Sequence, residues 1–503
     1  MTSTPQHLNN LNPSTSQPLN NLNPSTISTP QQPQHHSYRP LHRTNHTMQN
    51  PSLSIANPAP TLTTAKQKAA LAAVALGILL ILIAWSGGGT VPGMQPAVVL
   101  AVAVALISAG SVVYARDLYL HLPKGIHNNG VFFKSLSSRG IAGWMLGVAI
   151  TGFYVVLYWF PAYFGGLIKL FDPLSMALRG RAADQWFVYG SFYTLSVLLM
   201  GYKFALKYRH NRYQLLRTAS VVFFQLGFAF LIPAYMLLMN EPEYYFSYFW
   251  PLKTDSLKPD GIDWIVRSSS HGWGLYFIGF SILMAFVGVP ILTYFFGKRW
   301  YCSWVCGCGG LAETTGDAFR HLSDKSLKSW KIERWMVHSV LVFVTVMTAL
   351  LWINSAYQGA VLGRLSMGFS KTYAFLIGAV FSGVVGTGFY PIMGSRVWCR
   401  FGCPQAAILG IFQRKKSKFR ITSNGSQCIS CGNCSTYCEM GIDVRSYAQK
   451  GQDIVRASCV GCGICAAVCP RGVLRLENGD LDIDERAEQL RAVHVKKGNE
   501  SAG

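Results

Sequence analysis

The sequence predicts an α-helical polytopic membrane protein of about eight transmembrane helices, with a small cysteine-rich α+β domain at the C-terminus. Of its 503 residues, 50% are hydrophobic and only 13% are charged, whereas soluble domains carry about 25% charged residues. Long apolar runs recur from residue 69 onward. All thirteen cysteines lie at or beyond Cys302, and eight of them fall within residues 428–469.

The N-terminal segment, residues 1–66, is rich in Asn, Pro, Ser, Thr and Gln. It repeats the string LNNLNPST at 8–15 and 19–26. Such a composition buries too little apolar surface to offset the entropy of ordering. We therefore expect a disordered cytoplasmic tail, unless the natural start is Met48 and the upstream part is not translated.

Eight apolar runs approach the roughly 20 residues that a helix needs to cross a bilayer. They lie at 69–86, 95–115, 141–161, 186–206, 219–239, 273–296, 336–355 and 373–394. Residues 67–270 are thus expected to form helices one to five. Residues 271–412 are expected to form helices six to eight, together with two cysteine motifs at the edge of the membrane.

Lys and Arg predict the orientation of these spans. Sixteen follow spans two, four and six, if Lys203 at the end of span four is included, and eight follow spans one, three, five and seven. The positive-inside rule places the richer connections in the cytoplasm. We expect both termini and the C-terminal domain to be cytoplasmic, in a bacterial inner membrane. Basic cytoplasmic loops also account for the net charge of +22, so nucleic-acid binding is not predicted.

The C-terminal cysteines within residues 420–478 follow the spacing of a ferredoxin with two [4Fe–4S] clusters. Each run has three cysteines at spacing two and a fourth after three residues, and in two-cluster ferredoxins this fourth cysteine binds the other cluster. The sequence therefore assigns one cluster to Cys428, Cys431, Cys434 and Cys469, and the second to Cys459, Cys462, Cys465 and Cys438. A pair of zinc sites is the alternative, although zinc sites usually show two CxxC pairs. Residues 479–503 form a charged tail.

Five further cysteines lie at predicted cytoplasmic helix ends. Cys302 and Cys306 follow span six, and Cys399 and Cys403 follow span eight. Residues at i and i+4 share a helical face, so we expect these four thiols to converge near the ferredoxin domain. Cys308 has a weaker claim, because it lies at i+2 from Cys306. The thiols could hold a third cluster, bind copper or another soft metal, act as a redox pair or pack inertly.

These motifs together resemble the NosR/NapH/CcoG group of membrane polyferredoxins. Paired C-x3-C-P segments at membrane helix ends precede a C-terminal two-cluster ferredoxin, and the resemblance covers about residues 270–476. Cys399, Cys403 and Pro404 fit fully, whereas Gly307 replaces the proline of the first segment and Glu439 replaces the proline that usually follows the fourth cysteine. The upstream half contains no flavin-attachment domain like that of NosR.

The resemblance implies a membrane-bound carrier of single electrons. Electrons would pass between a cytoplasmic donor such as flavodoxin or ferredoxin, or the quinone pool, and the membrane-edge cysteines or a partner reductase or oxidase. We expect a component of an oxidoreductase system more than a stand-alone enzyme. The alternatives are a CcoG-like copper reductase in oxidase maturation and a non-catalytic redox sensor or assembly protein. The aromatic run at 244–250 predicts an interfacial belt, with a quinone pocket as the alternative.

Overall fold

A computed structural model describes residues 64–120, 140–363 and 374–478, together with positions 365, 368, 371 and 372. The predicted tail of residues 1–66 lies outside these ranges except for its last three residues. The charged tail of residues 479–503 lies outside them entirely, as do the alternative start at Met48 and residues 121–139 of the second predicted connection.

The described residues are mostly helical, and the helices are numbered in chain order. They are α1 Ala65–Ser86, α2 Pro96–Leu120, α3 Ile141–Trp159, α4 Gly165–Leu170, α5 Asp172–Arg179, α6 Gln185–Lys207, α7 Arg212–Leu238, α8 Pro259–Ser268, α9 Trp273–Phe296, α10 Arg299–Cys302, α11 Gly307–Thr314, α12 Leu327–Ala356, α13 Ala374–Gly388, α14 Tyr390–Met393, α15 Val397–Phe401, α16 Pro404–Lys416, α17 Asn433–Thr436, α18 Val444–Gln449 and α19 Ile464–Ala467. Short 3₁₀ segments lie at Pro161–Phe164, Thr254–Leu257, Thr315–Leu322 and Gly425–Gln427.

Six of these helices are long and apolar enough to cross a membrane: α1, α2, α3, α7, α9 and α12. Two of them contain π-helical turns, at Phe224–Leu231 in α7 and at Met284–Gly288 in α9. The predicted class of helical polytopic membrane protein is confirmed. The predicted number of about eight spans is not reached among the described residues.

The two remaining predicted spans, at 186–206 and 373–394, also form helices. The run at 186–206 forms α6, which has 23 residues but carries serine, threonine and tyrosine, so its sequence is less apolar. Helix α6 packs against α2, α7 and α11, and the Tyr193 hydroxyl of α6 bonds Gln225 of α7 and the Gly307 carbonyl of α11. Among the described residues, the run at 373–394 gives the apolar helix α13, which ends at Gly388, and Pro391 lies in the separate helix α14.

Two glycines allow α1 and α2 to pack closely. A Cβ atom on Gly77 would lie 2.8 Å from the Ala103 carbonyl oxygen, and one on Gly110 would lie 2.6 Å from the Ala70 carbonyl oxygen. Small residues at such contacts let helix backbones approach in an apolar environment. The α1–α2 pair therefore depends on the absence of these side chains.

The C-terminal domain contains a two-stranded antiparallel sheet and three short helices. Strand β1, Phe419–Ser423, pairs with β2, Leu474–Asn478, and Phe419 lies opposite Asn478. Helices α17, α18 and α19 lie between the two strands in the sequence. This arrangement confirms the predicted small α+β domain, whose first strand begins directly after α16.

The variant Gly110→Ala tests the close packing of α1 and α2. The added methyl group would collide with the α1 backbone, and such overpacking typically destabilises by about 1–3 kcal/mol. Gly152→Ala in α3 is the matched control, because nothing lies within 4 Å of the Cβ position there. Thermal unfolding in detergent, followed by circular dichroism, should show a lower midpoint for Gly110→Ala only. Equal midpoints for the two variants would contradict this account of the packing.

Candidate iron–sulfur centres and membrane-edge thiols

The eight ferredoxin cysteines line two separate cavities. Both cavities are small, with a volume of about 20 Å³ each. The first is lined by Cys428, Cys431, Cys434 and Cys469, and the second by Cys438, Cys459, Cys462 and Cys465. These are the two sets that the sequence predicts, including the exchange of the fourth cysteine between the runs.

Four thiols around one small cavity are the donor set that a [4Fe–4S] cluster requires. Among the described residues, no three His, Cys, Asp or Glu side chains converge as they would around one metal ion. The four ligands of a [4Fe–4S] cluster each bind a different iron atom, so they need not converge on one position. The four cysteines around each cavity therefore fit such a cluster. The role of each cysteine as a ligand stays a prediction.

Each cysteine run turns at a glycine in the left-handed region. Gly432 (φ 80°) precedes α17, and Gly463 (φ 72°) precedes α19. Glycine adopts this backbone conformation without a steric penalty. The chain therefore begins a short helix within each run, and Cys434 and Cys465 lie on these helices.

The two cavities differ in their exposure to solvent. In the first cavity Cys431 is exposed and Cys434 is buried, whereas the second cavity has two buried cysteines, Cys459 and Cys465, and no exposed one. Cys434 and Cys438 are four residues apart on and after α17 and belong to different cavities. The two cavities therefore adjoin each other through a single turn of the chain.

The loop of the second cavity is bonded to the helices of the membrane domain. Tyr213 Oη donates to the Gly461 carbonyl at 2.8 Å, and Gln214 Nε2 donates to the Cys462 carbonyl at 2.9 Å. Ser303 Oγ donates to the Val460 carbonyl at 2.8 Å. The second cavity therefore lies on the side of the ferredoxin domain that faces the membrane domain.

The four membrane-edge cysteines are all buried and belong to one hydrophobic core. The predicted helical face for each pair is wrong, because a turn interrupts the helix in both segments. Cys302 ends α10 and Cys306 precedes α11, while Cys399 lies in α15 and Cys403 precedes α16. The core nevertheless brings the two segments together, as the sequence predicts.

Both segments share a backbone pattern that the cysteine spacing alone does not reveal. The sequence Gly-x-Arg-x-aromatic-Cys-x3-Cys occurs at 297–306 and again at 394–403. Each begins with a glycine at positive φ, Gly297 and Gly394. In each, the second cysteine N–H bonds the carbonyl five residues earlier, at 2.8 Å for Cys306 and 3.0 Å for Cys403. This repeat would have marked the arginine as part of the motif.

Arg396, the arginine of the second repeat, is fully buried and contacts the thiol site. Its Nη1 donates to the Cys302 carbonyl at 3.1 Å and lies 3.7 Å from Cys399 Sγ. Its Nη2 forms ion pairs with Glu313 at 2.7 Å and with Glu439 at 2.9 Å. Glu439 belongs to the ferredoxin domain, so one guanidinium group joins the two sites.

Further buried ion pairs extend from Glu439 into the membrane domain. Arg320 pairs with Glu439 at 2.5 Å and with Asp317 at 2.7 Å, and Lys207 pairs with Asp317 at 2.6 Å. Arg217 pairs with Glu313. Every member of the network is at most 7% exposed. Buried charges require such partners, because taking an ion out of water costs several kcal/mol.

The network controls the ionisation of its carboxylates. Burial favours the neutral form of Glu439, but the guanidinium groups of Arg320, Arg396 and Arg217 outweigh it and hold its pKa below the usual value. Burial likewise opposes ionisation of Asp317, whereas Lys207 and Arg320 lower its pKa to about 2. Both carboxylates are therefore charged near neutral pH.

The membrane-edge thiols do not share one environment. Burial raises the pKa of Cys302 to about 12. Cys308 donates a hydrogen bond to Cys306 and lowers the pKa of Cys306 to about 7, although burial acts in the opposite direction. Cys308 has the weakest claim by spacing, but it is hydrogen-bonded to Cys306, one of the other four membrane-edge cysteines.

Cys308 and Cys399 also line a cavity of about 450 Å³ inside the membrane domain. Six tyrosines contribute to its wall: Tyr158, Tyr189, Tyr193, Tyr245, Tyr248 and Tyr390. Arg181 and Glu243, which form an ion pair at 3.3 Å, also line it and are partly exposed. The run at 244–250 is therefore not a simple interfacial belt, because Tyr245 and Tyr248 line this cavity.

Comparison with known families identifies iron–sulfur domains in the C-terminal half. A family described as a 4Fe–4S binding domain matches residues 278–326 and 373–422, which contain all five membrane-edge cysteines. A family described as a 4Fe–4S dicluster domain matches residues 427–474, which contain the other eight. The predicted [4Fe–4S] cofactors are confirmed at this level, whereas a third cluster or copper is not.

Two curated relatives come from Escherichia coli K12. The chain is 27% identical over 178 residues to YccM, whose name assigns it to electron transport, and this covers 33% of the chain and 48% of YccM. It is 29% identical over 165 residues to the ferredoxin-type protein NapH, covering 31% of the chain and 53% of NapH. The chain thus spans about half the length of each relative that it matches, and no solved structure matches it significantly.

The matched families and relatives agree with the helices and cavities described above. NapH also belongs to the group that the paired cysteine motifs resemble, so that resemblance is confirmed. The chain is thus homologous to YccM and NapH, contains helices long and apolar enough to cross a membrane, and carries 4Fe–4S binding domains in its C-terminal half.

Proposed function

We propose that this chain passes single electrons between a soluble carrier at the ferredoxin domain and a redox centre that the buried thiols at the membrane edge would hold. One observation carries the proposal. Twelve of the thirteen cysteines lie within, or pack against, a single continuous core that extends from the membrane-edge segments through both ferredoxin cavities. Only Cys431, the exposed cysteine of the first cavity, lies outside this core.

The cysteines of each cavity would hold one [4Fe–4S] cluster, which when bound accepts and releases single electrons. The residues around them suggest a path for the electrons. Cys431 faces solvent, Cys434 and Cys438 connect the cavities, and the second loop is fixed to the membrane helices by Tyr213 and Gln214. Electrons would therefore enter or leave through the first cavity and exchange with the membrane edge through the second.

The rim of the first cavity suits an acidic protein carrier. Ile429, Arg445, Pro470 and Arg471 line this rim and are exposed. Two cations beside an apolar side chain favour a negatively charged partner that buries a small apolar patch, as flavodoxin or ferredoxin would. Such an encounter would weaken as the salt concentration rises.

The membrane-edge thiols would form the third site on this path. Cys302, Cys306, Cys399 and Cys403 supply four buried thiols, and the 4Fe–4S binding family covers both segments. A third cluster therefore has more support than a copper ion. Cys308 would remain outside the ligand set, in contact with the tyrosine-lined cavity.

The same cavity favours the quinone pool as the partner on the membrane side. Its volume of about 450 Å³ lies within the range of small-molecule sites. Tyrosine walls offer aromatic surface and hydroxyl groups to a ring with carbonyl oxygens. Because the cavity touches Cys399, a quinone bound there would lie next to the membrane-edge site.

The proposed orientation places this machinery on the cytoplasmic face of a bacterial inner membrane. The ferredoxin domain contacts Tyr213 after the fourth predicted span and Arg299 and Ser303 after the sixth. Both connections are predicted to be cytoplasmic from their Lys and Arg content. The agreement supports a cytoplasmic ferredoxin domain, which a soluble electron carrier could reach.

Counting iron in the intact chain is the first test. After anaerobic purification in detergent, we expect about twelve iron and twelve acid-labile sulfide per polypeptide if the membrane-edge thiols hold a third cluster. About eight of each would leave those thiols free or bound to another metal. Near-zero sulfide with one or two zinc ions would overturn the electron-transfer proposal.

The double variant Cys399→Ser/Cys403→Ser tests the membrane edge. We expect it to lose about four iron, to retain the paired ferredoxin signals in EPR and to stop reducing a short-chain quinone. Cys308→Ser is the comparison variant, because its thiol also lines the cavity but lies outside the four-thiol set. It should retain all the iron.

Other outcomes of this experiment favour the alternatives. Loss of copper(II) reduction, with quinone reduction unchanged, would favour a copper reductase in oxidase maturation. Unchanged electron transfer, with an altered assembly or transcriptional response in cells, would favour a redox sensor.

The variant Gly461→Ala tests whether the second cavity must be docked on the membrane domain. A Cβ atom there would lie 2.6 Å from Arg299 Cβ, in addition to the strain of a left-handed backbone (φ 62°). Gly472→Ala is the matched control, with the same φ of about 63° and nothing within 4 Å. Both variants should lose about 1–2 kcal/mol through backbone strain.

Only Gly461→Ala should separate the ferredoxin domain from the membrane helices. We expect faster proteolytic release of the domain and slower reduction of the membrane-edge site. Equal proteolysis of the two variants would show that the docking does not depend on this contact.

A further inference from the structure

Glu439 occupies a position where the cluster-binding sequence ordinarily has proline. Its side chain is fully buried and lines the second cavity beside Cys438 and Cys462. A buried carboxylate beside a cluster site is costly, because both carry negative charge and the local dielectric constant is low. Its presence therefore requires compensation from nearby cations.

Two guanidinium groups form direct ion pairs with this carboxylate. Arg320 pairs with one carboxylate oxygen of Glu439 at 2.5 Å, and Arg396 pairs with the other at 2.9 Å. Arg320 also pairs with Asp317, so its charge is shared within the membrane domain. Arg396 extends in the opposite direction, to the Cys302 carbonyl and to Cys399 Sγ.

We propose that Arg396 is a shared counter-cation of the second ferredoxin site and the membrane-edge thiols, and that Glu439 divides its positive charge between them. The inference rests on the proposed cluster sites, and it makes Glu439 and Arg396 positioning residues for electron transfer. A cation near a redox centre stabilises the reduced, more negative form. A carboxylate on the same cation withdraws part of that stabilisation.

The sign of each substitution follows from this arrangement. Glu439→Gln removes a negative charge from the wall of the second cavity and releases Arg396, so the second site becomes easier to reduce. Arg396→Gln removes the positive charge and makes it harder to reduce. Arg396→Lys retains the charge and should restore most of the parent behaviour. The first cavity has neither residue in its wall and serves as an internal reference.

The test is an EPR-monitored redox titration of the full chain in detergent, with iron and sulfide measured for every sample. For Glu439→Gln we expect the electron distribution to shift at least tenfold towards the second site, about 59 mV for one electron. Asp453→Asn is the control, because it neutralises an exposed carboxylate of the same domain. Equal shifts at both sites, or no shift with the iron content intact, would overturn the proposal.

Two further variants keep the test decisive if Glu439→Gln loses its second cluster. Glu439→Pro restores the usual residue of the motif and removes the same charge. Glu439→Gln/Arg396→Gln restores the charge balance, so recovery of the cluster and of the parent potential supports the proposal. Continued loss of the cluster in both variants overturns it. A parent chain with fewer than eight iron would instead contradict the proposed function itself.

Discussion

The ion pairs of Glu439 with Arg320 and Arg396 are the interaction on which the arrangement of redox sites depends. They join a loop of the ferredoxin domain to two separate segments of the membrane domain, and all three residues are fully buried. Breaking a buried pair by removing one partner typically costs about 3–5 kcal/mol, because the other charge is left uncompensated. The buried charges are compensated only in this docking position. The network therefore favours this orientation of the ferredoxin domain over other orientations that apolar contacts alone would allow.

This fixed docking explains why the two ferredoxin cavities differ although their cysteine spacings are the same. The loop of the second cavity is covered by Tyr213, Gln214 and Ser303, whereas Cys431 of the first cavity remains exposed. Of two sites with the same cysteine spacing, the first therefore lies on the solvent side and the second faces the membrane domain. Solvent exposure and hydrogen bonding set the potentials of such clusters, so the asymmetry distinguishes the two sites chemically as well as by position.

The sequence predicts what depends on local spacing and composition. Cysteine spacing predicts the two sets that line the cavities, and hydropathy predicts six of the helices. Helical spacing does not predict the breaks at Ser303 and Gly402, where Ser303 Oγ bonds the Val460 carbonyl and the Phe381 ring leaves no room for a side chain at Gly402. The positive-inside rule treats Lys207, Arg217 and Arg320 as loop cations, but they are at most 3% exposed and pair with buried carboxylates. Lys207 pairs with Asp317 and Arg217 with Glu313. These partners lie too far apart in the sequence for a local pattern to predict the pairs.

The repeated segments show how one motif came to serve two different contacts. Arg299 and Arg396 hold the same position in the repeat, yet Arg299 lies 4.5 Å from the centre of the Phe419 ring and bonds Asn478 at 2.9 Å. Phe419 and Asn478 face each other across the ferredoxin sheet. Arg299 thus contacts the sheet of the ferredoxin domain, while Arg396 neutralises the buried carboxylate of Glu439. The two halves of the membrane-edge site are therefore each tied to the ferredoxin domain, one through its sheet and one through its second cavity. A displacement of that domain would consequently act on both cysteine pairs, which makes docking and thiol geometry a single structural property.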